Sequence, residues 1–199
     1  MKPGMKLGIT GGIGSGKTSV CRVFNVLGIP VFSADPEAQK IMNGNSKIKM
    51  GINEIAGRNI YPHGKLDRME LASLIFNDPE SLKKVNALVH PAVFVNFIQW
   101  AEKQTAPYVI MEAAIMFESG ASKLVDRVAT IVAPVEERIA RVTLRNKLTR
   151  EQVMDRIRNQ MTDKERIKRS DYIISNSENE MIIPVILRIN EDILTHLNS

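Results

Sequence analysis

A chain of 199 residues, 44% hydrophobic and 25% charged, has enough apolar side chains for one α/β core with appendages. It is too short for two independent enzymes, and its composition excludes a disordered protein. The net charge of +5 lies between Pro134 and Ser170, where eleven Lys/Arg face six Asp/Glu and aromatic residues for base stacking are lacking, so no nucleic-acid partner is expected.

In chain order, the apolar segment Lys6–Thr10 ends in glycines, and Val20, Val23, Phe24 and Leu27 then recur at helical spacing as far as Gly28. Strand, loop and helix follow one another. Pro30–Phe32 is a second short strand, and Pro36 marks a new helix start, which leaves Asp35 at a strand's carboxyl end. From Glu37 to Gln104 the pattern is helical, with breaks around Gly44, at Gly57–Gly64, at Asp78-Pro79 and at His90-Pro91. Tyr108–Met111 and Val128–Val132 read as buried parallel strands. Pro134 opens a long Arg-rich helical stretch, Tyr172–Ile174 is a last strand, and Glu178–Leu197 a closing helix. Strands alternating with helices imply a parallel sheet whose ligands collect at the strands' carboxyl ends. The longest apolar runs, such as Met181–Leu187, are too short for a bilayer; no leader or membrane anchor is expected. The single cysteine, Cys21, excludes an internal disulfide, fits a cytoplasmic location and reads as small core filler.

Gly11-Gly12-Ile13-Gly14-Ser15-Gly16-Lys17-Thr18 matches the phosphate-loop pattern G-x-x-x-x-G-K-[ST] in full, with the expected strand before it and helix after it. Glycine-rich backbone lets N–H groups approach phosphate oxygens, and the positive end of the following helix reinforces them. Gly12, Ile13, Gly14, Ser15, Gly16, Lys17 and Thr18 are therefore expected to hold the phosphates of a nucleoside triphosphate, with Lys17 on the β- and γ-phosphates and the Thr18 hydroxyl on Mg²⁺. The loop alone does not choose among GTPase, motor, binding module and kinase. Asn146-Lys147-Leu148-Thr149 lacks the Asp of a guanine-reading signature, and no D-x-x-G switch follows Tyr108–Met111. Glu112 stands at that strand end, placed either to orient Mg²⁺ through water or to cap the next turn. Phosphoryl transfer to a hydroxyl needs a carboxylate near the acceptor, and Asp35 is the candidate; its plainer reading is a helix cap. Arg68 and His90, inside the helical run, are candidate contacts to an anionic acceptor. Arg138, Arg141 and Arg145 share one helix face, and Arg145 is the candidate for stabilising charge on the transferring group.

With these residues assembled, the chain resembles the dephospho-coenzyme A kinase family from Lys6 nearly to its end. The likeness rests on Gly8–Thr18, Ala34-Asp35, Gly64–Arg68, Ile75-Phe76, Asn86–Pro91, Phe117-Glu118, the Arg-rich stretch ending at Arg156 and Gln160, and Asp171-Tyr172 through Asn176. The resemblance implies a three-layer α/β P-loop NTPase fold of the nucleoside-monophosphate-kinase type, with a parallel five-stranded sheet, a helical substrate domain and a lid. Its expected parts are a core of 1–35, 106–135 and 170–199, a helical acceptor-binding insertion of 36–105 and an Arg-rich lid region of 136–169. The implied reaction is ATP-dependent phosphorylation of the ribose 3′-hydroxyl of dephospho-coenzyme A, with Mg²⁺ as cofactor, in a monomer or small homo-oligomer. Asp35 would act on the hydroxyl proton, and Arg141 and Asn176 would join the loop in binding ATP. Three positions depart from the family pattern: Ser33 stands for a usual Asp, Glu112 opens a stretch that usually begins with Asp, and Phe94 stands where Arg is frequent.

Overall fold

The computed structural model describes residues 3–197; Met1, Lys2, Asn198 and Ser199, counted above in the expected core, lie outside the described residues. The chain divides into two compact units, one formed by Met1–Ser33 with Trp100–Ser199 and the other by Ala34–Gln99. Among the described residues no helix is long and apolar enough to cross a membrane.

The first unit is built on a parallel sheet of β1 (Met5–Gly11), β2 (Val31–Ser33), β3 (Tyr108–Glu112), β4 (Arg127–Val132) and β5 (Tyr172–Ser175), in the order β2-β3-β1-β4-β5. The glycine-ending strand is thus central, paired with β3 on one side and β4 on the other. Alternation along the strands sorts the side chains to two faces. Leu7, Ile9, Tyr108, Ile110, Ala129 and Ile131 pack with Val20 and Phe24 of α1 (Lys17–Val26) and Ile186, Ile189 and Ile193 of α9 (Ile182–Leu197). On the opposite face Gly8 lies so close beneath Met116 and Val125 that an added Cβ would sit 3.0 Å from each. That face also carries Thr130, whose hydroxyl is 2.6 Å from that of Ser170, just beyond α8 (Asp163–Lys168). Helices therefore cover both faces, giving the expected three layers.

The Arg-rich stretch is three helices rather than one: α6 (Val135–Asn146), α7 (Arg150–Arg158) and α8. Lys147 takes a left-handed conformation (φ 54°) and ends α6, while Thr149 and Thr162 open α7 and α8 with reciprocal capping boxes to Gln152 and Glu165. The closing helix begins at Ile182, not Glu178, with Pro184 inside its first turn, where a missing N–H costs nothing.

The second unit is helical: α2 (Ala34–Gly44), α3 (Ser46–Ala56), α4 (Arg68–Asn77) and α5 (Pro79–Ala101), whose last two residues, Trp100 and Ala101, are assigned to the first unit. Asn45 caps α3 by accepting from the Lys47 and Ile48 N–H groups, and Asp67 caps α4 by accepting from Met69 and Glu70. Asp78 accepts from the Glu80 N–H at 3.0 Å and the Ser81 hydroxyl at 2.6 Å at the start of α5. Two expectations change here. α2 starts at Ala34, so Pro36 is its third residue and Asp35 lies in the first helical turn instead of on a strand end. The expected break at His90-Pro91 is absent, because α5 runs through Pro91. Val85, Val89, Val93 and Phe97 recur every four residues along its buried side, and that continuous apolar face outweighs one lost hydrogen bond on the exposed side.

Candidate active site

The loop between β1 and α1 is shaped by close contact with chain that follows much later. Gly14 and Gly16 have φ of 77° and 97°, a region L side chains rarely occupy. A Cβ on Gly14 would lie 2.6 Å from the Arg138 carbonyl oxygen, and one on Gly16 would lie 2.0 Å from the Asn176 side-chain nitrogen. Gly12 is constrained by space alone, since its Cβ would meet the Arg138 guanidinium at 2.2 Å. The Ser15 N–H donates to the Gly12 carbonyl at 3.1 Å, and the buried Ser15 Oγ has no hydrogen-bond partner among the described residues. Lys17 Nζ donates to the Gly11 carbonyl at 2.8 Å, which folds the ammonium back over the loop. Thr18 is exposed on the first turn of α1, where helix N–H groups lack intrahelical acceptors.

Two struts from later elements hold the loop. Asn176, just past β5, donates its side-chain amide to the Ser15 carbonyl at 2.8 Å, and its own carbonyl accepts from Arg141 Nη1 at 3.0 Å. Arg141 Nη2 reaches Glu137 at 2.7 Å. Arg138, almost wholly buried, donates from Nε to the Ile13 carbonyl at 2.8 Å and from Nη1 to Asp163 at 3.0 Å. Arg145, one turn further along α6, is exposed and donates to the Asn146 side chain at 2.7 Å.

Glu112 ends β3 in register with Ile9 of β1 and Ser33 of β2. Its charge, with burial as the larger cause, pushes the Cys21 thiol up to about 12, while Lys17 pulls the other way. Glu112 and Lys17 thus both act on the first turns of α1. In the second unit, Asp35 is exposed in the first turn of α2. Arg68 opens α4 and donates to Gln39 at 2.7 Å. His90 is half-buried in α5, its ring 6.1 Å from that of Phe94, and burial lowers its pKa. The first unit therefore gathers Gly12–Thr18, Glu112, Arg141, Arg145 and Asn176, whereas Asp35, Arg68 and His90 belong to the second.

The family model for dephospho-CoA kinase matches residues 5–181. The chain belongs to the dephospho-CoA kinase family. It is 37% identical over 186 residues to a dephospho-CoA kinase of Bacteroides fragilis (strain YCH46), covering 93% of this chain and 91% of that one. Among solved structures, a Thermus thermophilus protein matches at 32% identity with a TM-score of 0.84 and complete coverage of both chains. A dephospho-CoA kinase from Campylobacter jejuni matches at 27% identity and a TM-score of 0.68, covering 94% and 96%. As a member of this kinase family, the chain is a P-loop kinase. Nothing in the sequence pattern singles out Asp163, and helical spacing places Arg138 on one face with Arg141 and Arg145. In this kinase Arg138 is the one turned inward, because Ile139 and Val142 beside it are buried against Val153 of α7.

Proposed function

We propose that the protein transfers the γ-phosphoryl group of ATP to the ribose 3′-hydroxyl of dephospho-coenzyme A, completing coenzyme A synthesis. The observation that carries this reading is a phosphate loop in its strand–loop–helix setting within a chain that belongs to the dephospho-CoA kinase family. In this reading Gly12–Thr18 supplies N–H groups to the triphosphate, and Lys17 leaves the Gly11 carbonyl for the β- and γ-phosphates. Arg141 and Asn176, already tied to the loop's far side, border the nucleotide. Arg145, exposed and hydrogen-bonded to the neighbouring Asn146 amide, can turn its charge toward the transferring group.

The donor set also suits Mg²⁺. One hydroxyl and one carboxylate, Thr18 and Glu112, are hard oxygen ligands of the kind Mg²⁺ takes while keeping waters and phosphate oxygens. Thr18 would hold it directly and Glu112 through water; the ion would neutralise charge building on the phosphates. Asp35 takes the proton of the attacking hydroxyl, and Arg68 and His90 contact the anionic parts of the acceptor. The remainder of the reading is a core of 1–35, 106–135 and 170–199, an acceptor-binding insertion of 36–105 and a lid of 136–169. Cytoplasmic residence belongs to it too, supported by a sequence whose one cysteine cannot form an internal disulfide.

The test is direct. Purified protein with Mg-ATP should form coenzyme A from dephospho-coenzyme A, measured by chromatography; phosphorylation of another acceptor without coenzyme A would overturn the substrate assignment. Asp35→Asn should lower kcat by about 10²–10⁴ while KM for ATP stays within about threefold. Equal loss in both parameters, or in neither, refutes the role given to Asp35.

A further inference from the structure

Ile13 stands at the apex of the phosphate loop, beyond the last strand residue and before the first helical one, so neither ladder nor helix fixes its backbone. Its N–H, carbonyl and side chain are nevertheless engaged by α6, α7 and the turn between α7 and α8. Its carbonyl accepts from Arg138 Nε at 2.8 Å, its N–H donates to Gln160 Oε1 at 2.8 Å, and its side chain packs into the cluster of Ile139, Val142 and Val153. Arg138 is in turn fixed by Asp163, which uses its second oxygen to accept from the buried Arg166 at 3.0 Å. One carboxylate thus holds two buried guanidinium groups side by side, and Arg166 Nη2 has a second carboxylate, Glu118, at 3.9 Å. A pair of buried cations is an expensive way to stabilise a fold, since apolar residues of similar volume serve as well. What apolar residues cannot do is orient a peptide carbonyl.

We propose that Arg138, Asp163 and Gln160 are positioning residues that set the Ile13 peptide, and through it the apex of the phosphate loop, in the conformation that receives ATP. Arg138 and Gln160 grip opposite sides of Ile13, and Asp163 fixes the direction of the Arg138 fork. None of the three needs to touch the nucleotide. The close fit of Arg138 against Gly12 and Gly14 means that the guanidinium and the loop cannot shift independently. The inference rests on the ATP-dependent reading above and deepens it.

The experiment measures Mg-ATP binding calorimetrically without acceptor, and steady-state constants for both substrates, in Arg138→Ala, Arg138→Lys, Asp163→Ala and Gln160→Met. Thermal unfolding of each variant sets the temperature, at least 15 °C below its midpoint. Arg138→Ala should raise the dissociation constant for Mg-ATP about tenfold or more, with KM for dephospho-coenzyme A within twofold of wild type. Arg138→Lys, able to reach Ile13 or Asp163 but not both, should recover part of that loss. Arg138→Ala combined with Asp163→Ala should weaken ATP binding no more than Arg138→Ala alone, because the carboxylate acts through the arginine. Should Arg138→Ala fail to fold, Gln160→Met decides, with an expected threefold or greater rise. Dissociation constants for Mg-ATP within twofold of wild type in folded Arg138→Lys and Gln160→Met would overturn the proposal and leave these residues a structural role only. Wild-type protein that binds Mg-ATP but forms no coenzyme A would instead refute the acceptor assignment, leaving this inference standing.

Discussion

Gly14→Ala separates two contributions that usually arrive together, backbone strain and crowding. At φ 77° an alanine is held in the left-handed region, a strain of about 1–2 kcal/mol. Its Cβ would also stand 2.6 Å from the Arg138 carbonyl oxygen and 2.9 Å from the Arg138 Cα. Those are backbone atoms of α6, so no rotamer change relieves them, and overpacking of this kind adds about 1–3 kcal/mol. Gly28→Ala is the control: its φ of 81° carries the same strain, but among the described residues nothing lies within 4 Å of its Cβ. Gly28→Ala should therefore lose about 1–2 kcal/mol in urea unfolding and bind Mg-ATP as wild type does. Gly14→Ala should lose about 2–5 kcal/mol and bind Mg-ATP at least about tenfold more weakly, because the strain is relieved by moving the loop apex. Equal stabilities for the two variants, with unchanged ATP binding in both, would refute the claim that α6 presses on the loop.

Lys17→Ala removes the charge that the proposed reading places on the β- and γ-phosphates, and kcat should fall by about 10²–10³, with weaker ATP binding alongside; a fully active variant would refute the loop assignment. His90 has a pKa lowered by burial, so the unfolded chain takes up the proton first as pH falls. Wild-type stability should thus be constant above about pH 6.5 and decline below it, whereas in His90→Gln this part of the decline is lost; parallel melting profiles for the two from pH 7.5 to 5 would contradict the assignment. The Cys21 thiol, pushed up to about 12 by burial and by Glu112, should react with a disulfide reagent at pH 8 at least a hundredfold more slowly in folded protein than in urea. Rapid labelling of the native protein would place Cys21 outside the core.

The phosphate loop was legible because its requirements are local: glycines where backbone meets phosphate, a lysine and a hydroxyl on the first helical turn, and a strand–helix frame within about twenty residues. Sheet order was not legible. Alternating strands and helices predict parallel pairing, but nothing in residues 5–11 says that β1 lies between β3 and β4. Pro91 misled because a proline rule describes one hydrogen bond, while four buried side chains at a spacing of four describe a whole helix face. The division of the Arg-rich stretch has a local sequence signal. Thr149-Arg-Glu-Gln152 and Thr162-Asp-Lys-Glu165 both have the capping-box spacing that starts a helix.

The three arginines of α6 show where sequence reasoning stops. Spacings of three and four put Arg138, Arg141 and Arg145 on one face, and a face of cations is naturally taken as one facing solvent or a ligand. In the structure the three grade from buried to exposed along the helix: Arg138 beneath the loop, Arg141 against Asn176 and Glu137, Arg145 in solvent. The apolar pattern contains the correction. Val142 lies four residues after Arg138 and so on its side of the helix, and Val142 is fully buried, which carries Arg138 inward with it. What the pattern does not supply is the partner that makes a buried arginine tolerable. Asp163 is twenty-five residues away on a separate helix, α8, which packs against β4. A buried cation on a helix face is therefore legible as a demand for a carboxylate, whereas the identity of that carboxylate belongs to the tertiary fold.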